Sequence, residues 1–253
     1  MSRDGVLFIA TGERHILGAN SAAKSVRDQL TNVQVDLYCD KPEFVENEWF
    51  DQVHLVSDPH RRSKVDYIPL TRFDRTLYLD TDIRVVADIS DIFSILDRFD
   101  IALAHAHSRN RAETQQIWRK VLPFGFPQLN SGVLLYKSSE KKVINLMEAW
   151  KEAFHEQDFK KDQTTLRELI WDSDLKLYIL PPEYNVRYEK YLQVWEQREA
   201  VPKILHFARF KNEIVTSDPD NDTYEPQSRS LRRHIRKIFK HNLARMRGMD
   251  RDD

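Results

Sequence analysis

The sequence predicts an α/β fold with a mostly parallel sheet, and three observations carry that prediction. Short apolar runs alternate with stretches of helical periodicity along the first half of the chain. Several runs are near-continuous rather than alternating, as expected of strands covered on both faces. At 253 residues and 41% hydrophobic, the chain is long and apolar enough to bury such a core. The same composition excludes a disordered chain, and six Gly with ten Pro exclude a collagen-like or Gly-rich repeat.

The elements follow in order. Gly5–Ala10 (GVLFIA) reads as a buried strand, Asn20–Leu30 as a helix, Val35–Tyr38 as the second strand and Gln52–Val56 as the third. Ser63–Leu70 is a helix, Arg75–Leu79 (RTLYL) a fourth strand ending at Asp80, and Asp100–Ala104 a fifth. Ser131–Tyr136 (SGVLLY) is again a strand, and Ser139–His155 and Lys161–Trp171 are helices. Leu175–Leu180 is a strand stopped by Pro181 and Pro182, and Lys203–Phe207 is the last. Residues 216–227 lack periodicity and divide a body, 1–215, from a terminal segment, 228–253.

That terminal segment carries the charge asymmetry of the molecule. Eight Lys/Arg and no acid lie between 229 and 247, so the remainder holds 31 basic against 40 acidic residues, a balance of -9. Leu231, Ile235, Ile238, Asn242 and Met246 recur at helical spacing with Phe239 and Leu243 beside them. The result is a basic amphipathic helix. Two destinations are expected for it: an anionic membrane surface, or the acidic body of the same chain. Nucleic acid ranks below both.

The single Cys39 excludes an intrachain disulfide and any zinc site of two or more cysteines, and reads as a buried small hydrophobe. The start has an acid at Asp4 and an apolar run of only five residues, Val6–Ala10, unlike a secretory leader. No stretch approaches the roughly 20 apolar residues of a membrane span. A reducing, cytoplasmic setting is expected, peripheral to the inner membrane surface if the basic helix binds lipid.

Ligands of open α/β sheets bind beyond the carboxyl ends of the strands. Those ends are Ala10–Thr11, Cys39–Asp40, Asp80–Asp82, His105–His107 and His206. Asp-x-Asp occurs five times in the chain, but only Asp80-Thr81-Asp82 follows an apolar strand and precedes another apolar stretch, Ile83, Val85 and Val86. Two adjacent carboxylates at a core edge repel each other and are costly to desolvate. A hard divalent cation removes that cost, and such ions commonly share their coordination with phosphate oxygens. The same pair also serves as strand-capping acids bonded to loop amides. With a metal, two chemistries fit: a phosphatase of the haloacid dehalogenase type, or a nucleotide-sugar transferase.

The wider pattern resembles a glycosyltransferase of the GT-A fold, most like family 8, the glycogenin and bacterial galactosyltransferase family. Five segments match in order: RFDRTLYLDTDIRV (Arg72–Val85), FPQLNSGVLLYKSS (Phe126–Ser139), KKDQTTL (Lys160–Leu166), PPEYNVRY (Pro181–Tyr188) and KILHFARFK (Lys203–Lys211). The resemblance implies a nucleotide-diphospho-sugar donor, favouring UDP, and a glycan or glycolipid hydroxyl as acceptor. It implies manganese, or magnesium, held by Asp80, Asp82 and His206. It places Ala10 and Thr11 at the nucleoside, Lys64, Thr81 and Lys211 at the donor, and Asn130, Ser131 and Gly132 at the sugar. Asp162 and Gln163 would lie near the anomeric carbon as the catalytic pair. The family has a Gly soon after the closing His and a Lys six positions beyond it. Here Ala208-Arg209-Phe210 follows and Lys211 comes five positions on, so Arg209 is a second candidate for the phosphate. Retention is implied, with front-face attack because no nucleophile stands out; an inverting route would use Asp162 as base. A phosphatase would need a later acidic pair at a strand end, and the chain offers none after Asp100. A catalytically silent sugar-nucleotide or glycan binder on the same fold is the remaining alternative.

Plainer roles compete for several of these residues. Asp162 suits a helix N-cap, Asn130-Ser131-Gly132 an ordinary turn, and His206 a backbone-bonded core histidine. His105 and His107 read as mostly structural, with one as an acceptor contact. Tyr184, Tyr188, Tyr191 and Trp195 are spaced as one face of a helix, either core or a sugar-stacking wall.

Overall fold

The computed structural model describes residues 3–30, 32–157 and 161–211. The expected linker 216–227 and the basic helix 228–253 lie outside the described residues. Nine strands are named in chain order: β1 Asp4–Ala10, β2 Gln34–Cys39, β3 Gln52–Leu55, β4 Arg75–Leu79, β5 Ile83–Val85, β6 Ile101–His105, β7 Leu129–Tyr136, β8 Leu177–Ile179 and β9 Ile204–His206. Five helices accompany them: α1 Glu13–Arg27, α2 Lys64–Tyr67, α3 Lys141–His155, α4 Gln163–Asp172 and α5 Glu189–Val194.

Seven strands form one sheet in the order β3-β2-β1-β4-β7-β6-β8, and β5 pairs with β9 in a separate two-stranded ribbon. β1 pairs in parallel with β2 and β4, and β2 with β3; β7 runs antiparallel to β4 and β6. Chain order reverses between β1 and β4, which opens a crevice at their carboxyl ends. Because β7 is reversed, its amino end, Asn130–Gly132, stands beside the carboxyl end of β4. The Asp80 amide donates to the Gly132 carbonyl at 2.8 Å.

The apolar runs seen in sequence fill both faces of this sheet. One face packs Val6, Phe8, Leu77, Leu79 and Val133 beneath Ile16, Ala19, Ala23 and Val26 of α1. The other packs Leu7, Tyr78, Leu134 and Tyr136 against Val143, Met147 and Trp150 of α3 and Leu166 of α4. Cys39 is 1% exposed within the first cluster, and burial pushes its thiol up to about 11, as suits an inert hydrophobe.

Most element boundaries move by one or two residues from the expected ones. The exception is α1, which begins at Glu13 rather than Asn20. Gly12, at φ +81, makes the sharp exit from β1 that lets the helix start so soon. Gly18, a poor helix former, is there for contact: a Cβ would sit 3.0 Å from the Thr81 carbonyl. The expected helix Ser63–Leu70 is four α-helical residues followed by the 3₁₀ turn Ile68–Leu70, since Pro69 ends regular bonding. Among the described residues no helix is long and apolar enough to cross a membrane.

Candidate active site

The crevice at the switch point holds a cavity of about 430 Å³. Its walls come from the exit of β1 (Ile9, Thr11, Gly12), the exit of β2 (Asp40), the loop Pro59–Lys64, and Tyr78, Asp80 and Thr81. Gly12 donates its amide to Asp40 Oδ1 at 2.8 Å, and the Thr11 hydroxyl donates to the His60 carbonyl at 3.3 Å. Ala10, expected on the nucleoside wall, turns its side chain into the core and is 1% exposed; its neighbours Ile9 and Thr11 form the wall.

Asp80, on the cavity wall, is joined by the buried Asp82 and His206; each presents a ligand atom, all within 4.8 Å of one another. β4 delivers Asp80. β9 delivers His206 by pairing antiparallel with β5, which sets His206 opposite Ile83, the residue after Asp82. His206 Nε2 lies 3.1 Å from Asp82 Oδ1 and 3.6 Å from Asp80 Oδ2. Two carboxylates and an imidazole nitrogen form a mixed oxygen–nitrogen set suited to a manganese-like ion. Gly132 keeps this space clear: a Cβ there would lie 2.2 Å from His206 Cε1 and 2.6 Å from Asp80 Oδ2. The residues present therefore fit a divalent cation. Of the five Asp-x-Asp pairs, this is the one among the described residues that gathers a third ligand.

Lys64 ties the acids together. It is 7% exposed, and its Nζ lies 3.3 Å from Asp80 Oδ1, 2.9 Å from Ser131 Oγ and 3.5 Å from Asp162 Oδ2. The Tyr78 hydroxyl donates to Asp80 Oδ1 at 2.7 Å. Burial and Asp82 act upward on the Asp80 carboxyl, yet Lys64, His206 and Tyr78 outweigh them and hold it below the usual carboxylate range. Burial is also the largest influence on His206 and, with Arg187, leaves its imidazole below the usual value despite the two acids.

Asp162 precedes α4, but its side chain makes no capping bond there. It turns inward instead, accepting from Ser131 Oγ at 2.7 Å and facing Arg62 Nε at 3.4 Å. The plain N-cap reading is thereby replaced. Gln163 Nε2 reaches Ser131 Oγ at 3.5 Å, so the expected catalytic pair does converge on the Asn130–Gly132 segment. Thr81 contacts His15 Nδ1 through Oγ1 at 3.3 Å. Lys211 ends the 3₁₀ turn Ala208–Lys211, and its side chain lies outside the described atoms. Arg209, the alternative phosphate contact, is paired with Glu189.

The loop before α2 was not singled out in sequence. It supplies His60, Arg61 and Arg62 to the cavity wall, and its signal was a run of cations preceding Lys64. His60, Asp66 and His155 form a second group of ligand-type atoms within 4.8 Å. Its chemistry differs. The Arg62 amide donates to His60 Nδ1 at 3.2 Å, so the ring proton sits on Nε2, which faces Asp66. His155 Nε2 meets the other Asp66 oxygen at 2.6 Å. This is a hydrogen-bonded clasp between the loop and the end of α3. His107 lies beyond β6 with its ring against Tyr188 and Tyr191, while Tyr191 stacks on Trp195.

An open sheet whose switch-point crevice holds paired carboxylates, an imidazole and a row of cations defines a nucleotide-sugar transferase fold of the GT-A type. The family model for nucleotide-diphospho-sugar transferases matches residues 75–213, more than half of the chain, and the chain belongs to that family. The glycosyltransferase GlyE of Streptococcus pneumoniae TIGR4 is similar in structure, with 21% identity and a TM-score of 0.53 over 80% of this chain and 54% of that one. The galactosyltransferase LgtC, solved with donor and acceptor sugar analogues, gives 13% identity and a TM-score of 0.56 over 81% of this chain and 87% of that one. The chain thus spans about half the length of GlyE. No curated protein sequence matches it. The haloacid dehalogenase alternative gains no support from sheet order or family.

Proposed function

We propose that this protein is a metal-dependent glycosyltransferase that moves a sugar from a nucleotide-diphospho-sugar, a UDP-sugar in the favoured case, to a hydroxyl of a glycan or glycolipid with retention. The observation that carries this reading is the convergence of Asp82 and His206 on Asp80, which lines a cavity edged with cations. The donor and acceptor sugar analogues held by the galactosyltransferase LgtC support it.

Asp80, Asp82 and His206 would hold manganese or magnesium, which supplies Lewis-acid stabilisation of a diphosphate leaving group. Lys64, Arg61 and Arg62 add fixed positive charge on the same side, where negative charge grows as the glycosidic bond breaks. Thr11 and Asp40 suit the nucleoside, and Asn130, Ser131 and Gly132 the sugar hydroxyls. Asp162, held by Ser131 and facing Arg62 and Lys64, is pinned as an anionic neighbour of the oxocarbenium-like sugar, with Gln163 beside it. Such fixed bonding suits electrostatic support better than proton abstraction, which favours front-face attack over an inverting base. Lys211 remains a candidate for the diphosphate. The unit 1–215 would carry this activity, with the basic segment 229–247 docking on an anionic membrane or on the acidic body.

The test is nucleotide release from a panel of UDP-, GDP- and other nucleotide-sugars with manganese and with EDTA. Release from one donor, lost in EDTA and reduced at least ~100-fold in Asp80→Asn and Asp82→Asn, is expected. Activity unchanged in both variants would overturn the proposal. Tight metal and nucleotide binding with no release, with or without candidate acceptors, would instead favour the silent binder.

A further inference from the structure

One chain of hydrogen bonds behind the candidate metal site fixes a proton. The Gly132 amide, which can only donate, points to Asn130 Oδ1 at 3.1 Å, so that atom is the carbonyl oxygen. Asn185 Nδ2 donates to the same oxygen at 3.0 Å. The amide orientation of Asn185 is therefore set, and its Oδ1 faces His206 Nδ1 at 2.8 Å. An oxygen acceptor there requires the proton on Nδ1. Asn185 is 0% exposed and His206 2%, so no water competes for either bond.

We infer that Asn185 is a positioning residue that, oriented by Asn130, holds His206 as the Nδ1–H tautomer and aims the Nε2 lone pair between Asp80 and Asp82. The inference rests on the metal reading given above. It assigns Asn130 a role beyond a sugar contact. It also explains why two clusters of the same ligand types differ: at His60 a backbone amide claims Nδ1 and the proton moves to Nε2, facing Asp66. At His206 an amide oxygen claims the Nδ1 proton, and Nε2 is left for a cation. Partners behind a ligating histidine fix its tautomer in just this way.

Nitrogen-detected NMR of the imidazoles in the metal-free chain, repeated with Mg²⁺, reads the proton directly. Manganese titration by calorimetry, without donor, reads the consequence. A protonated Nδ1 on His206 is expected in both NMR samples. Asn185→Leu should weaken manganese binding by about 10–100-fold. Asn185→Asp, which keeps an oxygen acceptor opposite Nδ1, should stay closer to the wild-type affinity than the Leu variant does. An unprotonated Nδ1 would overturn the inference, and so would a folded Asn185→Leu chain with wild-type affinity. The NMR result on the wild-type chain decides even if the Leu variant does not fold. A wild-type chain that binds no manganese would sink the metal reading itself, whatever the tautomer.

Discussion

Gly132 sits where any side chain would collide with both His206 and Asp80. Gly132→Ala is expected to cost about 1–3 kcal/mol through overpacking. It should lower manganese affinity more sharply than stability, and calorimetry beside thermal melts would separate the two. His107 gives a pH test. Burial, aided by Arg187, pulls its imidazole down to about 4 from an ordinary 6.5. Between those values the unfolded chain binds a proton that the folded chain does not, so stability rises with pH across that window. The contribution is complete above 6.5 and is lost as pH falls toward 4. His107→Gln should flatten the slope of unfolding free energy against pH in that interval, and an unchanged slope would contradict it. At this scale Asp80 and Asp82 drew attention because they follow an apolar strand, whereas Lys64 was singled out only through the family resemblance. The role of Asn185 was not, since its meaning depends on Asn130 and His206, which lie 55 and 21 residues away in sequence.

Helix α4 illustrates how elements hold the site. Trp150 of α3, fully buried, donates Nε1 to the Asp162 carbonyl at 2.8 Å and fixes the entry to α4. Trp150→Phe should therefore lower turnover without touching donor or metal directly. Glu168 of α4, 1% exposed, accepts from the amides of Trp118, Arg119 and Lys120 at 2.6, 2.8 and 3.0 Å. Glu168→Leu strands three amides and is expected to destabilise by about 2–3 kcal/mol, measurable by denaturant unfolding. The four strands β1 to β4 were readable as apolar runs. The direction of β7 was not, because a fully buried strand has the same pattern either way up. β5, three residues long, is too short for any periodicity to show, whereas β9 lies inside the expected strand Lys203–Phe207.

The whole molecule brings residues 64, 80–82, 130–132, 162, 185 and 206 to one point, so ligand binding reports on the entire fold. Manganese with UDP should raise the melting temperature of the wild-type chain, by about 2.7 kcal/mol of stabilisation at a free ligand level 100-fold above Kd, and leave Asp80→Asn nearly unmoved. Fold class was legible at this scale because alternating apolar and amphipathic segments constrain layers; the sheet order was not, because pairing is a property of distant segments.

The pairing of β9 with β5 also orders events during synthesis. Asp80 and Asp82 leave the ribosome long before residues 204–206, on the order of 10 s earlier at ordinary elongation rates. Until β9 arrives, the two acids have no imidazole to complete them, and Ile83 lacks the strand that covers it. The nascent chain thus holds the two acids without their third partner until β9 is made. Among the described strands, the last to be made is also the one that brings His206 to the two acids.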